Sequence, residues 1–139
     1  MSGPPNPQPW ARPDRHARLT CVQSVRSVLS KYATFSGRAT RAEFWWWQLA
    51  ATIAGFTASF LDDVVFGRTD YLFTLTLGLA TLLPSIAVSV RRLHDSDHSG
   101  WWLLVFPVPL AGIITLLWLF LKRSTPGPNR FGWHPVNAG

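Results

Sequence analysis

The stretch YLFTLTLGLATLLPSIAVSV, residues 71–90, decides the fold, because it runs for 20 residues without a charged side chain. Two similar stretches flank it: FWWWQLAATIAGFTASFL at 44–61 and WWLLVFPVPLAGIITLLWLFL at 101–121. A helix that crosses the hydrocarbon core of a bilayer needs about 20 apolar residues at 1.5 Å each. So short a chain has too little polar surface to bury three such helices in water. The sequence therefore predicts an all-α, polytopic helical membrane protein with about three transmembrane helices.

The composition agrees with a membrane location. Of the 139 residues, 14% are charged and 47% are hydrophobic, whereas an average soluble domain is about 25% charged. Trp and Tyr residues open the apolar stretches, which is typical of side chains at the level of the lipid headgroups. The net charge of +6 could suggest a nucleic-acid binder, but such proteins are rarely this apolar. The single cysteine, Cys21, excludes an intrachain disulfide and a zinc site built on thiolates.

Prolines interrupt two of the predicted spans. Pro84 lies in the second, and Pro107 and Pro109 lie in the third. A proline removes one intrahelical hydrogen bond, and a bilayer tolerates this only where a neighbour satisfies the freed carbonyl. We therefore expect kinks at these positions. The third stretch could be a re-entrant segment rather than a full crossing.

The N-terminal part divides into two predicted regions. Residues 1–14 hold five prolines and are expected to be a disordered arm. Residues 15–34 combine a basic face with an apolar stripe at helical spacing, which favours an amphipathic helix in the headgroup layer, although an ordinary surface helix has the same pattern. The stripe consists of Leu19, Val22, Val25, Val28, Leu29 and Tyr32. The membrane domain then covers 35–135, and 136–139 form a tail.

Positive charge predicts the orientation. Seven Lys and Arg precede the first span, one lies in loop 62–70, two lie in loop 91–100 and three follow the third span. With three full crossings and the N-terminus inside, nine positive charges lie inside and four outside. If the third segment is re-entrant, the ratio becomes twelve to one. Both counts favour a cytoplasmic N-terminus by the positive-inside rule, and the side of the C-terminus stays open.

Three polar motifs lie at the ends of the apolar stretches. They have the patterns FxGRxxRxEFW from Phe35, PSxAVxVRRLHDxxxSGWW from Pro84 and TPGxNRFGxxP from Thr125. Their combination and order resemble the domain of unknown function 805 (DUF805) family of YhaH-like small bacterial inner-membrane proteins, over about residues 30–135. The family usually has a small and a basic residue where this chain has Asp97 and His98. The resemblance implies a multi-pass protein of the bacterial inner membrane and names no substrate.

The charged residues of these motifs predict a polar cluster. Asp95 is the expected acceptor for Arg38 or Arg41, and Glu43 is the expected acceptor for Arg91 or Arg92, because arginine and carboxylate pair well at a membrane boundary. A structural cluster and a lipid or small-anion site are both compatible with this pattern. The candidates for the polar cluster or a lipid contact are Arg38, Arg41, Glu43, Arg91, Arg92, His94, Asp95, Asn129 and Arg130.

Other chemistries receive less support from the sequence. The spacing of His94, Asp95, Asp97 and His98 superficially resembles a metal site, but residues 95–100 read as a turn. We predict no metal, cofactor or catalytic residue, since no nucleotide loop or nucleophile motif is present. The expected function is therefore a non-enzymatic membrane scaffold or assembly partner that contacts the bilayer, including anionic phospholipid. A small transporter or channel subunit is the alternative, although it would normally need an ionisable group at mid-membrane. A membrane-surface enzyme using His94 and Asp95 is a third hypothesis.

Overall fold

The computed structural model describes residues 20–67 and 70–133, and this part of the chain is helical without a β-strand. The fold therefore confirms the all-α prediction. The helices are α1 (Cys21–Ser30), α2 (Arg41–Phe66), α3 (Leu72–Asp95) and α4 (Ala111–Leu121), with a 3-10 helix at Gly100–Val105. Residues 1–14, the predicted helix start at 15–19 and the tail 136–139 lie outside the described residues.

The helices α2 and α3 are the two long apolar elements. They contain 26 and 24 residues, which correspond to about 39 and 36 Å, so each exceeds the hydrocarbon thickness of about 30 Å. Helix α2 extends beyond the predicted span 44–61 at both ends, and α3 extends beyond 71–90 at its C-terminal end. Only 11% and 17% of their most apolar windows are buried within the protein. Since most of this apolar surface has no protein cover, both helices are suited to span a membrane.

The third apolar stretch is broken rather than continuous. After the 3-10 helix, the chain turns at 106–110, where Leu110 adopts φ 57°, and then forms α4. With 11 residues, α4 is about 16 Å long, which is too short to cross about 30 Å of hydrocarbon. The break coincides with Pro107 and Pro109, as the sequence predicts. The structure thus differs from a single helix over 101–121.

Both ends of this stretch lie beside the C-terminal end of α3. The stretch starts at Gly100, whose Cα packs against Val90, and the Arg92 side chain donates to the carbonyls of Phe120 and Lys122 near the other end. The two halves of the stretch pack closely, because a Cβ placed on Gly112 would lie 2.1 Å from the Val105 carbonyl oxygen. We call residues 100–121 the re-entrant hairpin, since the segment returns to the end from which it starts.

Helix α1 packs beside α2. It begins with a capping box between Thr20 and Gln23, which satisfies backbone N–H groups of its first turn. Val28 is buried in a core with Phe44, Trp47 and Val88, with Ala39 alongside. Val22 and Leu29 point away from this core and are 75% and 50% exposed. The predicted apolar stripe is therefore divided between the protein core and the surroundings.

A neighbouring side chain satisfies the carbonyl that Pro84 frees in α3. Pro84 has no N–H to donate to the carbonyl four residues earlier, that of Ala80. The hydroxyl of Tyr32 donates to this carbonyl at 2.5 Å. One residue beyond the proline, Ser85 accepts a hydrogen bond from the Trp47 indole at 3.0 Å. The Tyr32 hydrogen bond provides the compensation that a proline inside an apolar helix requires, and the Trp47 bond holds α2 against α3 beside it.

The opposite end of the α2–α3 pair is fastened by a carboxylate. Asp62 is buried on α2, and its two oxygens accept hydrogen bonds from the backbone N–H groups of Phe73 and Thr74, each at 2.8 Å. These N–H groups belong to the first turn of α3, whose preceding residue Tyr71 provides no side-chain cap. Asp62 therefore caps α3 from the neighbouring helix and carries the charge that a helix N-terminus favours.

Candidate functional site: a buried polar cluster

Five charged side chains gather where α2 begins and α3 ends, and we call them the polar cluster. Each is at most 4% exposed. They are Arg38, Glu43, Arg91, Arg92 and Asp95. Burial of so many charges is costly unless each is paired and hydrogen-bonded, so their contacts decide what the cluster can do.

Asp95 is the central acceptor of the polar cluster. Its Oδ1 accepts from Arg38, with an ion-pair distance of 2.9 Å to Nη2. Its Oδ2 lies 2.6 Å from Nη1 of Arg92 and also accepts from the Ser124 hydroxyl. One carboxylate thus joins three segments: the entry to α2, the end of α3 and the chain after α4. Such charge-assisted bonds are stronger than neutral ones.

Arg38 connects these segments through backbone carbonyls as well. Its Nη1 donates to Gly127 and its Nη2 to Thr125, both at 2.6 Å, and its Nη2 also donates to the backbone carbonyl of Asp95 at 3.3 Å. Next to it, the backbone N–H of Ala39 donates to the Arg91 carbonyl at 3.0 Å. The planar guanidinium can serve several acceptors at once because its five donors point in fixed directions.

Glu43 and Arg91 form the second ion pair of the polar cluster. Arg91 Nη1 lies 3.0 Å from Glu43 Oε1, which also accepts from the Ser27 hydroxyl of α1 at 3.1 Å. The Nε and Nη2 atoms of Arg91 are buried without a hydrogen-bond partner in the described part of the chain. Glu43 is held in position because it is in the first turn of α2, where the capping side chain of Thr40 accepts from its N–H.

Arg92 joins the polar cluster to the re-entrant hairpin. Its Nε donates to the Phe120 carbonyl at 3.1 Å, and its Nη2 donates to the Lys122 carbonyl. The last carbonyls of a helix have no intrahelical partner, and a positive charge there is favourable. Arg92 therefore fixes the C-terminal end of α4 beside the end of α3.

The segment after α4 folds back over the end of α3. The His94 ring stacks on Phe131 with a centroid distance of 3.9 Å, and its Nδ1 lies 3.2 Å from the Gly37 carbonyl. Since a carbonyl only accepts, this nitrogen carries the proton. Asn129 donates to the His94 carbonyl at 2.8 Å. Arg130 pairs with Asp97 at 3.2 Å in an exposed position.

The structure brings most of the predicted residues together. The pairings of Arg38 with Asp95 and of Arg91 with Glu43 are among those that the sequence predicts. Arg41 is not part of the polar cluster: it is exposed and has no hydrogen bond or ion pair among the described residues. The sequence gives no signal for Ser27, Ser124 or the acceptor carbonyls of residues 125–132, because their contacts depend on the tertiary fold. Within 20–67 and 70–133, no three His, Cys, Asp or Glu side chains could together hold a metal ion.

Two long apolar helices, a shorter broken one and a buried polar cluster at one end define a small polytopic helical membrane protein. The chain belongs to the family described as "Protein of unknown function (DUF805)", whose model matches residues 32–133. It is 44% identical to the inner membrane protein YhaI of Escherichia coli K12 over 114 residues, which are 82% of this chain and 96% of that protein. It is 38% identical to YhaH of the same strain over 111 residues, 78% of this chain and 92% of that protein. No solved structure matches the chain significantly.

Proposed function

We propose that the protein is a non-enzymatic scaffold or assembly partner of the bacterial inner membrane, with a cytoplasmic N-terminus and a face that contacts anionic phospholipid. The location follows its relatives YhaI and YhaH, which are named inner membrane proteins. The observation that supports the structural role is that the charged side chains of the polar cluster bind one another and the backbone of neighbouring segments. The single side chain of Arg38 contacts α3 and the segment after α4 through the carboxylate of Asp95 and four backbone carbonyls.

The contacts of the carboxylates support a fastening role. Asp95 accepts from two arginines and a serine, and Glu43 accepts from an arginine and a serine. A carboxylate that acts as a general base must instead reach a proton of a substrate. These contacts are suited to holding three chain segments in one arrangement.

Charge asymmetry supports the orientation. Because the re-entrant hairpin returns to its starting end, the segments 1–43, 91–100 and 122–139 belong to the same side, and together they contain twelve Lys and Arg. The opposite connection, 62–70, contains only Arg68 together with three aspartates. The positive-inside rule then favours the twelve-charge side as cytoplasmic, so we also expect the C-terminus in the cytoplasm.

Reporter fusions test this orientation. A reporter that is active only outside the cytoplasmic membrane should stay inactive when fused before Trp10 or after Asn137, and should be active when inserted after Arg68. A cytoplasmic reporter at the same three positions should give the inverse pattern. Activity of the first reporter at Trp10 would reverse the orientation. Activity of this reporter at both Arg68 and Asn137, but not at Trp10, would mean that 101–121 crosses the membrane fully.

Exchange of an ion pair tests the fastening role. Glu43→Arg or Arg91→Glu alone should reduce the amount of protein in the membrane, because each places like charges in a buried site. The double exchange should restore part of that amount, since the pair is reconstituted. Arg41→Glu is the matched control and should have little effect, because Arg41 is exposed. If the double exchange accumulates no better than the single changes, the Glu43–Arg91 pair does not fasten the fold.

A further inference from the structure

We propose a binding site for the phosphate of an anionic phospholipid between the start of α2 and the end of α4, formed by Arg41, Lys122 and Arg123. This inference rests on the lipid contact proposed above and assigns it a place in the fold. All three side chains are exposed, and neither Arg41 nor Arg123 has a hydrogen bond or ion pair within the described ranges.

The carboxylates near Arg41 are already used. Glu43 is two positions away, so it does not face Arg41 on the helix, and it pairs with Arg91. Asp95 pairs with Arg38 and Arg92. Arg41 therefore keeps its guanidinium free for an external anion, and phosphate accepts two parallel N–H bonds from an arginine.

The packing brings the start of α2 close to the end of α4. The rings of Phe44 and Phe120 lie 4.5 Å apart. Arg41 is one turn before Phe44, and Lys122 is two residues after Phe120. Arg92 is near both groups, because its side chain donates to the Lys122 carbonyl and its charge is repelled by that of Arg41. An anion bound beside Arg41 and Lys122 would reduce this repulsion.

Aromatic and apolar side chains next to these cations indicate a lipid rather than a soluble phosphate. Lys122 Nζ lies 5.3 Å from the centre of the Trp118 ring, and Trp45 is one turn from Arg41. Both rings are exposed, as expected at the headgroup level. Further into the apolar helices, Leu49 and Leu117 are also exposed. A headgroup at the cations could thus place its acyl chains against apolar surface.

The charge at this end of the molecule complements an anionic leaflet. The described residues at the cluster end include nine basic and only three acidic side chains. The basic ones are Arg26, Lys31, Arg38, Arg41, Arg91, Arg92, Lys122, Arg123 and Arg130, and the acidic ones are Glu43, Asp95 and Asp97. A basic residue in direct contact with the headgroup is expected to strengthen its binding about fivefold, and a basic residue elsewhere at this end less, because solvent and salt screen its charge.

Lipid binding to two matched variants tests the site. Arg41→Gln with Lys122→Gln should weaken the binding of phosphatidylglycerol to the purified full chain about 25-fold, from about fivefold for each charge. Arg26→Gln with Lys31→Gln removes the same two residue types from α1 and the residue after it, outside the site, and should change the affinity less than about threefold. Affinities are measured by native mass spectrometry, with phosphatidylcholine as the neutral lipid. Thermal unfolding should be the same for both variants, since all four side chains are exposed.

The outcomes separate the site from the broader lipid proposal. If the wild-type chain binds both lipids equally, there is no preference for anionic lipid and both proposals fail. If it prefers phosphatidylglycerol but the α1 variant loses as much affinity as the Arg41 variant, the lipid contact stands and this site is wrong. If inorganic phosphate at the lipid's concentration displaces it, the site recognises free phosphate and the lipid assignment is overturned.

Discussion

Removal of the Asp95 carboxylate is the most direct perturbation of the polar cluster. Asp95→Ala leaves Arg38 and Arg92 buried without their common counter-ion, while the Ser124 hydroxyl loses its acceptor. Both arginines are at most 4% exposed, so water cannot replace the lost partner without opening the cluster. We therefore expect a large loss of stability together with detachment of the segment after α4.

The contacts set the magnitude of this loss. Breaking a buried ion pair by removing one partner costs about 3–5 kcal/mol. Asp95 pairs with two arginines, at 2.9 and 2.6 Å. We therefore expect Asp95→Ala to lower the free energy of unfolding by about 5 kcal/mol. Asp95→Asn keeps the shape but loses the charge and turns an amide N–H₂ toward an arginine. It should cost about 1.5–3 kcal/mol, the range of one hydrogen bond to a charged group.

A double-mutant cycle identifies the partner. The free energy of unfolding is measured in mixed micelles, with tryptophan fluorescence as the signal. Combining Asp95→Ala with Arg38→Met should give an interaction energy of about 1–3 kcal/mol, because the second change removes the unpaired buried charge. Combining Asp95→Ala with Arg41→Met should be additive within about 0.5 kcal/mol. Additivity in the Arg38 cycle, or coupling in the Arg41 cycle, would refute the assignment of the contacts.

Further predictions concern the contacts around the polar cluster and use the same unfolding assay. Tyr32→Phe should cost about 1 kcal/mol, and the cost should disappear in a Pro84→Ala background, where the helix supplies its own donor. Gly112→Ala should destabilise by about 1–3 kcal/mol because of the contact in the re-entrant hairpin, whereas Gly78→Ala, which has open space, should stabilise by about 0.5–1 kcal/mol. Asp62→Ala should cost about 1 kcal/mol; an unchanged stability would show that α3 needs no cap from α2.

The sequence predicts the long helices well because their signal is local. An uncharged run of about 20 residues has few other solutions. Residues 44–61 lie inside α2, and all of 71–90 except its first residue lies inside α3. Their ends are less predictable. Arg91 and Asp95 continue α3 beyond its apolar part because their charges are neutralised by Glu43 and Arg38, which are distant in sequence. A charged residue therefore marks the end of an apolar run but not the end of a helix.

The same distinction applies to the polar cluster. Charge type restricts the possible pairs, so Arg38 with Asp95 and Arg91 with Glu43 are among the predicted combinations. Asp95 pairs with Arg38 rather than Arg41 because of their positions. Arg38 precedes the capping residue Thr40 and donates to carbonyls of the chain that follows α4. Arg41 is already in α2 and is exposed. Sequence alone does not contain this difference, since both arginines lie at the same membrane boundary.

The re-entrant hairpin shows why hydrophobicity cannot decide whether a segment crosses a membrane. Its residues 101–121 are uncharged, like the apolar parts of the two long helices, and only its prolines indicate a break. Its return depends on a close contact within the hairpin, where Gly112 admits the Val105 carbonyl. It also depends on Arg92, which is distant in sequence and binds the last carbonyls of α4. Those two contacts place the basic segment after α4 on the side of the polar cluster. If Arg92 holds the hairpin, Arg92→Met should release the end of α4 and change the activity of the reporters fused after Asn137. Arg123→Met is the control and should leave the activity of these reporters as it is in the wild-type chain.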